Sequence, residues 1–244
     1  MVGVSPPNRL ELSIVIPVLN ESQLVVEQIE HVRAVAPAAE IVVVDGGSQD
    51  GSPELAASAD LVLRSAPGRA AQMNMGAGHA RGKYVLMLHV DTRLPSQFQS
   101  AFDRWKVTSP LWGHFFLRLS GRAFAFRVIE RMINLRTRVS GGATGDHCQI
   151  FRSDFFHALN GFPHLALMED IAMSRRCRRL SPPKTLEGFA ISSSRRWEQF
   201  GVWRTVFLMW SFRMLFTLGI NPRYFARGYR ASRAEQACCS AVCK

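Results

Sequence analysis

The sequence predicts an α/β fold, with a mostly parallel, twisted, Rossmann-like sheet flanked by helices and followed by a helical C-terminal region. Two observations carry that expectation. Short β-branched apolar runs alternate with helix-compatible stretches through the first part of the chain. Such alternation implies right-handed crossovers and a parallel sheet buried on both faces. Polar residues also sit just past the ends of the apolar runs, where open parallel sheets form their ligand crevice.

The first strand is LSIVIPV (12–18), followed by Asn20-Glu21-Ser22 and a helix from Gln23 to Val35. EIVVVD (40–45) leads into Gly46-Gly47-Ser48 and a short helix, and ADLVLR supplies a third strand over 60–64. A helix from Ala70 to Arg81 precedes YVLMLH (84–89), a fourth strand ending in Val90-Asp91-Thr92. Pro17 to Glu21, Asp45 to Ser48 and His89 to Thr92 are therefore expected to converge.

Beyond Ser109 the pattern changes, and the sheet is expected to gain mixed strands. WGHFFLRL (112–119) reads as a strand, Arg122 to Arg138 as a long helix, and Gly141 to Gly145 as a glycine-rich turn. HCQIF (147–151), a short helix, the turn Asn160 to Pro163 and a helix from Glu169 to Leu180 follow. LEGFAIS is strand-like. The mostly apolar stretch Val202 to Ile220 is interrupted by Arg204 and Arg213, which favours an interfacial or core helix over a membrane span.

A chain of 244 residues, 47% apolar and 20% charged, suits one folded domain, taken as residues 1–220 with a basic tail at 221–244. Charge is uneven: residues 1–110 carry 9 Lys/Arg against 11 Asp/Glu, whereas residues 111–244 carry 21 against 8. The later part is either a solvated basic surface or faces phosphate, nucleic acid or membrane headgroups. Cys148 and Cys177 stand alone, and Cys238, Cys239 and Cys243 crowd the tail without metal-ligand spacing. That usage favours a reducing compartment, the tail thiols being incidental or lipidated. MVGVSPPNRLE lacks the features of a secretory signal, so a cytoplasmic location is expected, with a peripheral place on the inner face of the cell membrane.

Four constellations carry chemistry. In VVDGGSQDG (43–51), Asp45 ends a buried strand where a carboxylate can accept base or ribose hydrogen bonds; Asp50 reads as a helix cap. In HVDT, His89 and Asp91 are two apart on extended chain and point the same way, able to share an oxygen-ligated Mg²⁺ or Mn²⁺ on a diphosphate. Alone, Asp91 would equally be a turn residue. In LMED, Glu169 and Asp170 open a helix, either as ordinary first-turn acids or as a base for an attacking hydroxyl. Arg175, Arg176, Arg178 and Arg179 follow and span more than one helical face, so they are not expected to form one phosphate clamp.

In SSSRRW, the guanidinium groups of Arg195 and Arg196 suit a diphosphate and the Trp197 indole suits a sugar face or a packed junction. Arg69 is a further candidate for phosphate contact. GAGHARG (76–82) imitates a dinucleotide fingerprint but precedes a strand instead of following one. There is no GKS/GKT loop, HExxH pair or GxSxG turn, which removes several enzyme classes.

IPVLNE (16–21), VVDGGSQDG, His89-Val90-Asp91, MED (168–170) and RRW (195–197), in that order, resemble the family 2 glycosyltransferases of the GT-A fold. GRAAQMNMGA, LHVDT, GDHCQIF, LMED and SSRRW more narrowly resemble a bacterial subgroup, some of whose relatives are labelled carotenoid-acid glycosyltransferases. The resemblance implies a donor half (12–110) and an acceptor half (111–220). It implies that Asp45 contacts the base or ribose of a UDP- or GDP-type sugar donor, with Pro17, Asn20, Glu21 and Gly47 shaping that pocket. Asp91 would hold the metal, with His89 beside it where the motif usually has Asp. Asp170 matches the general base of an inverting transfer, supported by Glu169. Arg69 and Arg196 would reach the donor phosphates, and Arg195 and Trp197 the acceptor, which is lipid or carotenoid-like.

Two other readings compete. A nucleotidyltransferase needs a basic glycine-rich loop after its first strand, and here that turn reads PVLNES. A non-catalytic protein binding an anionic membrane would use the basic later part; nucleic acid is not expected, because the arginines are not interleaved with aromatics in a recognisable module.

Overall fold

The computed structural model describes residues 10–225. One sheet of eight strands runs in the order β3-β2-β1-β4-β7-β6-β8-β5. Its strands are β1 (Leu12–Val18), β2 (Glu40–Asp45), β3 (Leu61–Arg64), β4 (Tyr84–Met87), β5 (Thr92–Arg93), β6 (Trp112–Leu119), β7 (Ile150–Arg152) and β8 (Lys184–Ser192). The first four are mutually parallel, β7 runs antiparallel to both β4 and β6, and β8 lies parallel to β6. The expected mixed second half is thus present.

Helices α1 (Val25–Val35), α2 (Ser52–Leu55), α3 (Arg69–His79), α4 (Phe98–Lys106) and α5 (Phe124–Ser140) are followed by α6 (Ser153–Ala158), α7 (Glu169–Leu180), α8 (Arg195–Phe200) and α9 (Val202–Thr217). Every residue of β1 and β2 is buried. Alternate residues feed separate cores: Ile14, Ile16, Ile41 and Val43 join the α1 and α4 side, while Val15, Val42 and Val44 join the α3 and α7 side. Two covered faces explain why these strands read as continuous apolar runs. The GAGHARG glycines serve this packing: a Cβ on Gly76 would lie 2.4 Å from Val15 Cγ1 and 2.9 Å from Val44 Cγ2.

Several boundaries differ from expectation. The YVLMLH strand ends at Met87, and residues 88–91 turn, with Thr92 N–H donating to His89 O. HCQIF begins as a 3₁₀ turn, Gly145–His147, before β7. Helix α4 and strand β5 fill a stretch to which the sequence assigned no element. The apolar segment after Gly201 is not a core helix: in α9 only Thr205 and Phe212 are buried. Among the described residues no helix is long and apolar enough to cross a membrane. The tail cysteines lie outside the described residues.

Candidate active site

The turns after β1 and β2 are stitched together by hydrogen bonds. Asn20 N–H donates to Ser48 Oγ at 2.8 Å, and Asn20 Oδ1 accepts from Gln49 N–H at 2.9 Å. Glu21 N–H donates to Ser52 Oγ and Ser22 N–H to Asp50 Oδ2, each at 2.9 Å. Asp50 also accepts from Ser52 N–H at 3.1 Å, but the N-cap of α2 is Gly51, so Asp50 stands one residue before the capping position expected of it. Burial opposes its ionisation, but the hydrogen bonds from Ser52 and Ser22 outweigh that and hold its carboxyl down at about 2. Asp45 is 1% exposed and accepts from Gly47 N–H at 3.0 Å and Ser48 N–H at 3.1 Å. Pro17 sits opposite Val44 in the sheet register. Gln72, which sequence reading passed over, donates to Val18 O at 2.7 Å and Val44 O at 2.9 Å, fixing the two strand ends from below.

A row of carboxylates continues from the end of β4 to the start of α7. Asp91 is exposed on its turn, and its carboxylate takes no hydrogen bond from the described residues. His89 is 5% exposed, and its Nδ1–H donates to Asp146 Oδ1 at 3.1 Å. Its other edge rests on Gly145, where a Cβ would come within 2.5 Å of Nε2. Burial pushes the Asp146 carboxyl up, but the hydrogen bond and charge of His89, with Arg69 and His147, hold it well below the usual range.

Gly145 joins the two ends of this row, because its N–H donates to Asp170 Oδ2 at 2.6 Å. Ile171 N–H donates to Asp170 Oδ1 at 2.7 Å, so both oxygens of that carboxylate are held by backbone. Glu169 is 6% exposed; burial and then the Asp170 charge push its carboxyl up, while Arg69 and His89 pull it down. Arg69, at the start of α3, thus acts electrostatically on both Asp146 and Glu169. The turn itself is braced by buried His147, whose Nδ1 lies 2.8 Å from Thr144 Oγ1 and whose Nε2 lies 3.2 Å from Thr137 Oγ1. Burial, then the neighbouring His114 charge, keeps that imidazole neutral.

The last predicted element divides. Ser193 N–H donates to Asp91 O at 3.2 Å, which brings the start of α8 beside the Asp91 turn. Arg195 is exposed there, whereas the Arg196 side chain lies outside the described residues. Trp197 packs against Leu117, Leu119, Phe126 and Ile129, so its indole is partly committed to a small core. The α7 arginines also depart from expectation. Arg175, Arg178 and Arg179 line one pocket of about 570 Å³ together with Arg136 of α5 and Arg213 of α9. Spacing along α7 alone hides this, because two other helices complete the wall.

Among the described residues no group of three His, Cys, Asp or Glu is placed to enclose a metal. Asp91 nevertheless fits a hard divalent cation of the kind that takes one or two protein carboxylates and completes its shell with substrate phosphate oxygens and water. Asp146 is the neighbouring carboxylate in the same row, held by His89. Sequence reading assigned no role to Asp146, Gly145, Arg136 or the pocket face of α7. The only sequence signal for the first two was GDHCQIF as a block.

The sequence profile of Glycosyl transferase family 2 matches residues 13–158. A comparison with curated proteins gives no match. Among solved structures, S. aureus TarS 1–349 superposes with a TM-score of 0.62 at 16% identity over 75% of this chain and 60% of that one. The chain therefore spans under two thirds of that fragment. The mannosyltransferase PcManGT from Pyrobaculum calidifontis, in complex with GDP-Man and Mn²⁺, gives 0.60 at 20% identity over 100% of this chain and 79% of that one. Glucosyl-3-phosphoglycerate synthase from Mycobacterium tuberculosis, with Mn²⁺, UDP-glucose and phosphoglyceric acid, gives 0.52 at 17% identity over 76% and 72%. At such identities the structures establish a common fold, the GT-A arrangement of a curled α/β sheet. The profile runs through more than half of the sequence and through the ends of the first four strands, so the chain belongs to glycosyltransferase family 2.

Proposed function

We propose that the protein transfers a sugar, with inversion, from a UDP- or GDP-type donor to an acceptor hydroxyl or carboxyl, using Asp170 as the base and a divalent cation at Asp91. The observation that carries this reading is the Gly145–Asp146 turn, which sets Asp170 and the His89–Asp146 pair on either side of one peptide. Structural neighbours have been crystallised with UDP-GlcNAc, GDP-Man and UDP-Glc, two of them with Mn²⁺.

In this reading Asp45 receives the base or ribose, exchanging the N–H groups of its own turn for donor atoms, while Pro17, Asn20, Glu21 and Gly47 form the walls. Mg²⁺ or Mn²⁺ at Asp91 would offset the charge that gathers on the departing diphosphate. His89 positions Asp146 beside that place through Nδ1, rather than ligating directly. Arg69 and Arg196 add positive charge around the leaving group. Asp170, oriented by two backbone N–H groups, accepts the acceptor proton as its oxygen attacks the anomeric carbon. Glu169 stands beside the base, its carboxyl pushed up by burial and by the Asp170 charge. Arg195 and Trp197 border the acceptor. Residues 1–220 act as one catalytic unit.

Peripheral contact with an anionic membrane belongs to the same proposal, and suits a lipid or carotenoid-like acceptor. Trp203, Phe207, Trp210, Met214 and Leu218 recur at spacings of three and four along α9, and all are exposed. They form one apolar stripe on a basic half of the chain. Calorimetric titration with UDP and GDP, each with and without Mn²⁺, tests the catalytic reading. We expect one nucleotide to bind with Mn²⁺-dependent affinity, and Asp91→Ala to remove that dependence. A wild-type protein that binds neither nucleotide would overturn the reading.

A further inference from the structure

The arginine pocket gathers five guanidinium groups, and donor recognition does not account for it. Its walls are Arg136 and Ser140 from α5, Arg175, Arg178 and Arg179 from α7, and Arg213 from α9, with no acidic residue lining it. Among the described residues none of the five arginines makes a salt bridge. Two are set by neutral partners: Arg175 donates to Thr217 Oγ1 at 2.9 Å and stacks over Phe216, and Arg178 donates to Ser140 O. Arg136 is not so provided for, because its Nε is buried without a hydrogen-bond partner. Burial and then the Arg213 charge pull the Arg136 guanidinium down to about 10. Like charges gathered in a half-enclosed space are costly unless an anion joins them.

The position of the pocket assigns the anion to a substrate. Ile171 and Ser174 lie on its wall, so it opens immediately beyond Asp170 on α7. Arg136 and Arg213 both feel the Asp170 charge. Arg69, on α3, is the cation that acts on Asp146 and Glu169, nearer the donor loops. The order is therefore donor turns, Asp91 and Asp146, Asp170, and then the arginines. A volume of about 570 Å³ lies within the ordinary range for small-molecule sites. Planar forks from several directions suit a phosphate with two charges and three terminal oxygens better than a single carboxylate.

We propose that the pocket between α5, α7 and α9 holds a phosphate group carried by the acceptor, so that the enzyme glycosylates a phosphorylated acceptor. This rests on the reading of Asp170 as the base. The phosphate is borne either by a soluble ester or by a lipid headgroup, and the test separates the two.

Inorganic phosphate titrated calorimetrically into wild type should bind at one site, and Arg213→Gln should weaken that binding about tenfold or more. Arg179→Gln, exposed at the rim and therefore safe for folding, should weaken it severalfold. Mn²⁺-dependent nucleotide affinity should stay unchanged in both variants. Flotation then assigns the source: with a lipid-borne phosphate, vesicles of phosphatidylcholine containing phosphatidic acid recruit wild type more than vesicles with equal charge as phosphatidylglycerol, and Arg213→Gln removes the difference. With a soluble ester the two vesicles act alike, while glycerol 3-phosphate competes with inorganic phosphate. The proposal is overturned if wild type binds nucleotide but no phosphate, or if both variants bind phosphate as wild type does. Phosphate binding without nucleotide binding would instead overturn the transferase reading and leave the anion site standing.

Discussion

The crevice has two walls built by different means. On the wall proposed to take the nucleotide, the polar groups sit at the ends of fully buried parallel strands, and backbone N–H groups and short side chains lock the turns: Asn20 to Ser48 and Gln49, Ser22 to Asp50, Asp45 to its own turn. On the wall proposed to take the acceptor, long arginines reach inward from three helices whose mutual placement depends on tertiary packing. The first wall is tied to the fold and tolerates little change. The second consists of side-chain termini on helix surfaces, where substitution alters the ligand without disturbing the sheet. The difference teaches where specificity can vary under the proposed reaction: in the acceptor more than in how the nucleotide is held.

Asp170 stands at the junction of the two walls, and replacing it gives the sharpest break. Asp170→Asn keeps the size and both backbone hydrogen-bond acceptor positions less one, and it should lower the transfer rate about a thousandfold while nucleotide affinity stays within twofold. Loss of nucleotide binding in that variant, measured by titration, would mean the walls are not separable. A smaller effect is expected on the outer face of α9. Phe207→Ser with Trp210→Ser should reduce association with anionic vesicles about tenfold in flotation, with nucleotide affinity unchanged, because each removes an exposed apolar group from one stripe.

The smallest expected effect concerns stability. Glu169 is pushed up in the folded protein by burial and by Asp170, so between its unfolded and folded values the native state holds more proton than the unfolded one. Stability from this residue therefore falls as pH rises from the ordinary Glu range through the raised value. Glu169→Gln does not titrate and escapes that loss. Its melting temperature should gain on wild type between pH 4 and pH 7, by about 2–4 °C for each kcal/mol released. A constant difference across that range would show that the Glu169 carboxyl is not pushed up on folding.

The same contrast governs what the sequence disclosed. Asp45 at the end of β2, and Asp91 on the turn after β4, were legible because a buried apolar run followed by an acid is a local pattern with a local cause. Glu169 and Asp170 were legible as acids opening a helix. Asp146 was not, because its significance lies in a hydrogen bond to His89, 57 positions away, and nothing in a glycine-rich turn announces that. The four α7 arginines were read as spanning more than one face, and Arg176 indeed stays outside the pocket; what spacing along one helix could not show is that α5 and α9 bring Arg136 and Arg213 to the other three. Trp197 left two readings open, and the cluster around Phe126 favours packing. Helix α4 escaped because its apolar residues, Phe98, Ala101, Phe102 and Trp105, follow a stretch with no clear cap.

The turn at Gly145 has a consequence for the order of events. One residue gives its N–H to Asp170, and the next gives its carboxylate to His89, so the two ends of the crevice are a single peptide apart. With His89 pressed against Gly145, the ring has no room to shift without pushing that peptide. In the proposed reaction, filling the nucleotide side and setting the base are thereby geared together, and linkage requires the gearing to run both ways: whatever factor a bound sugar nucleotide applies to acceptor affinity, a bound acceptor returns.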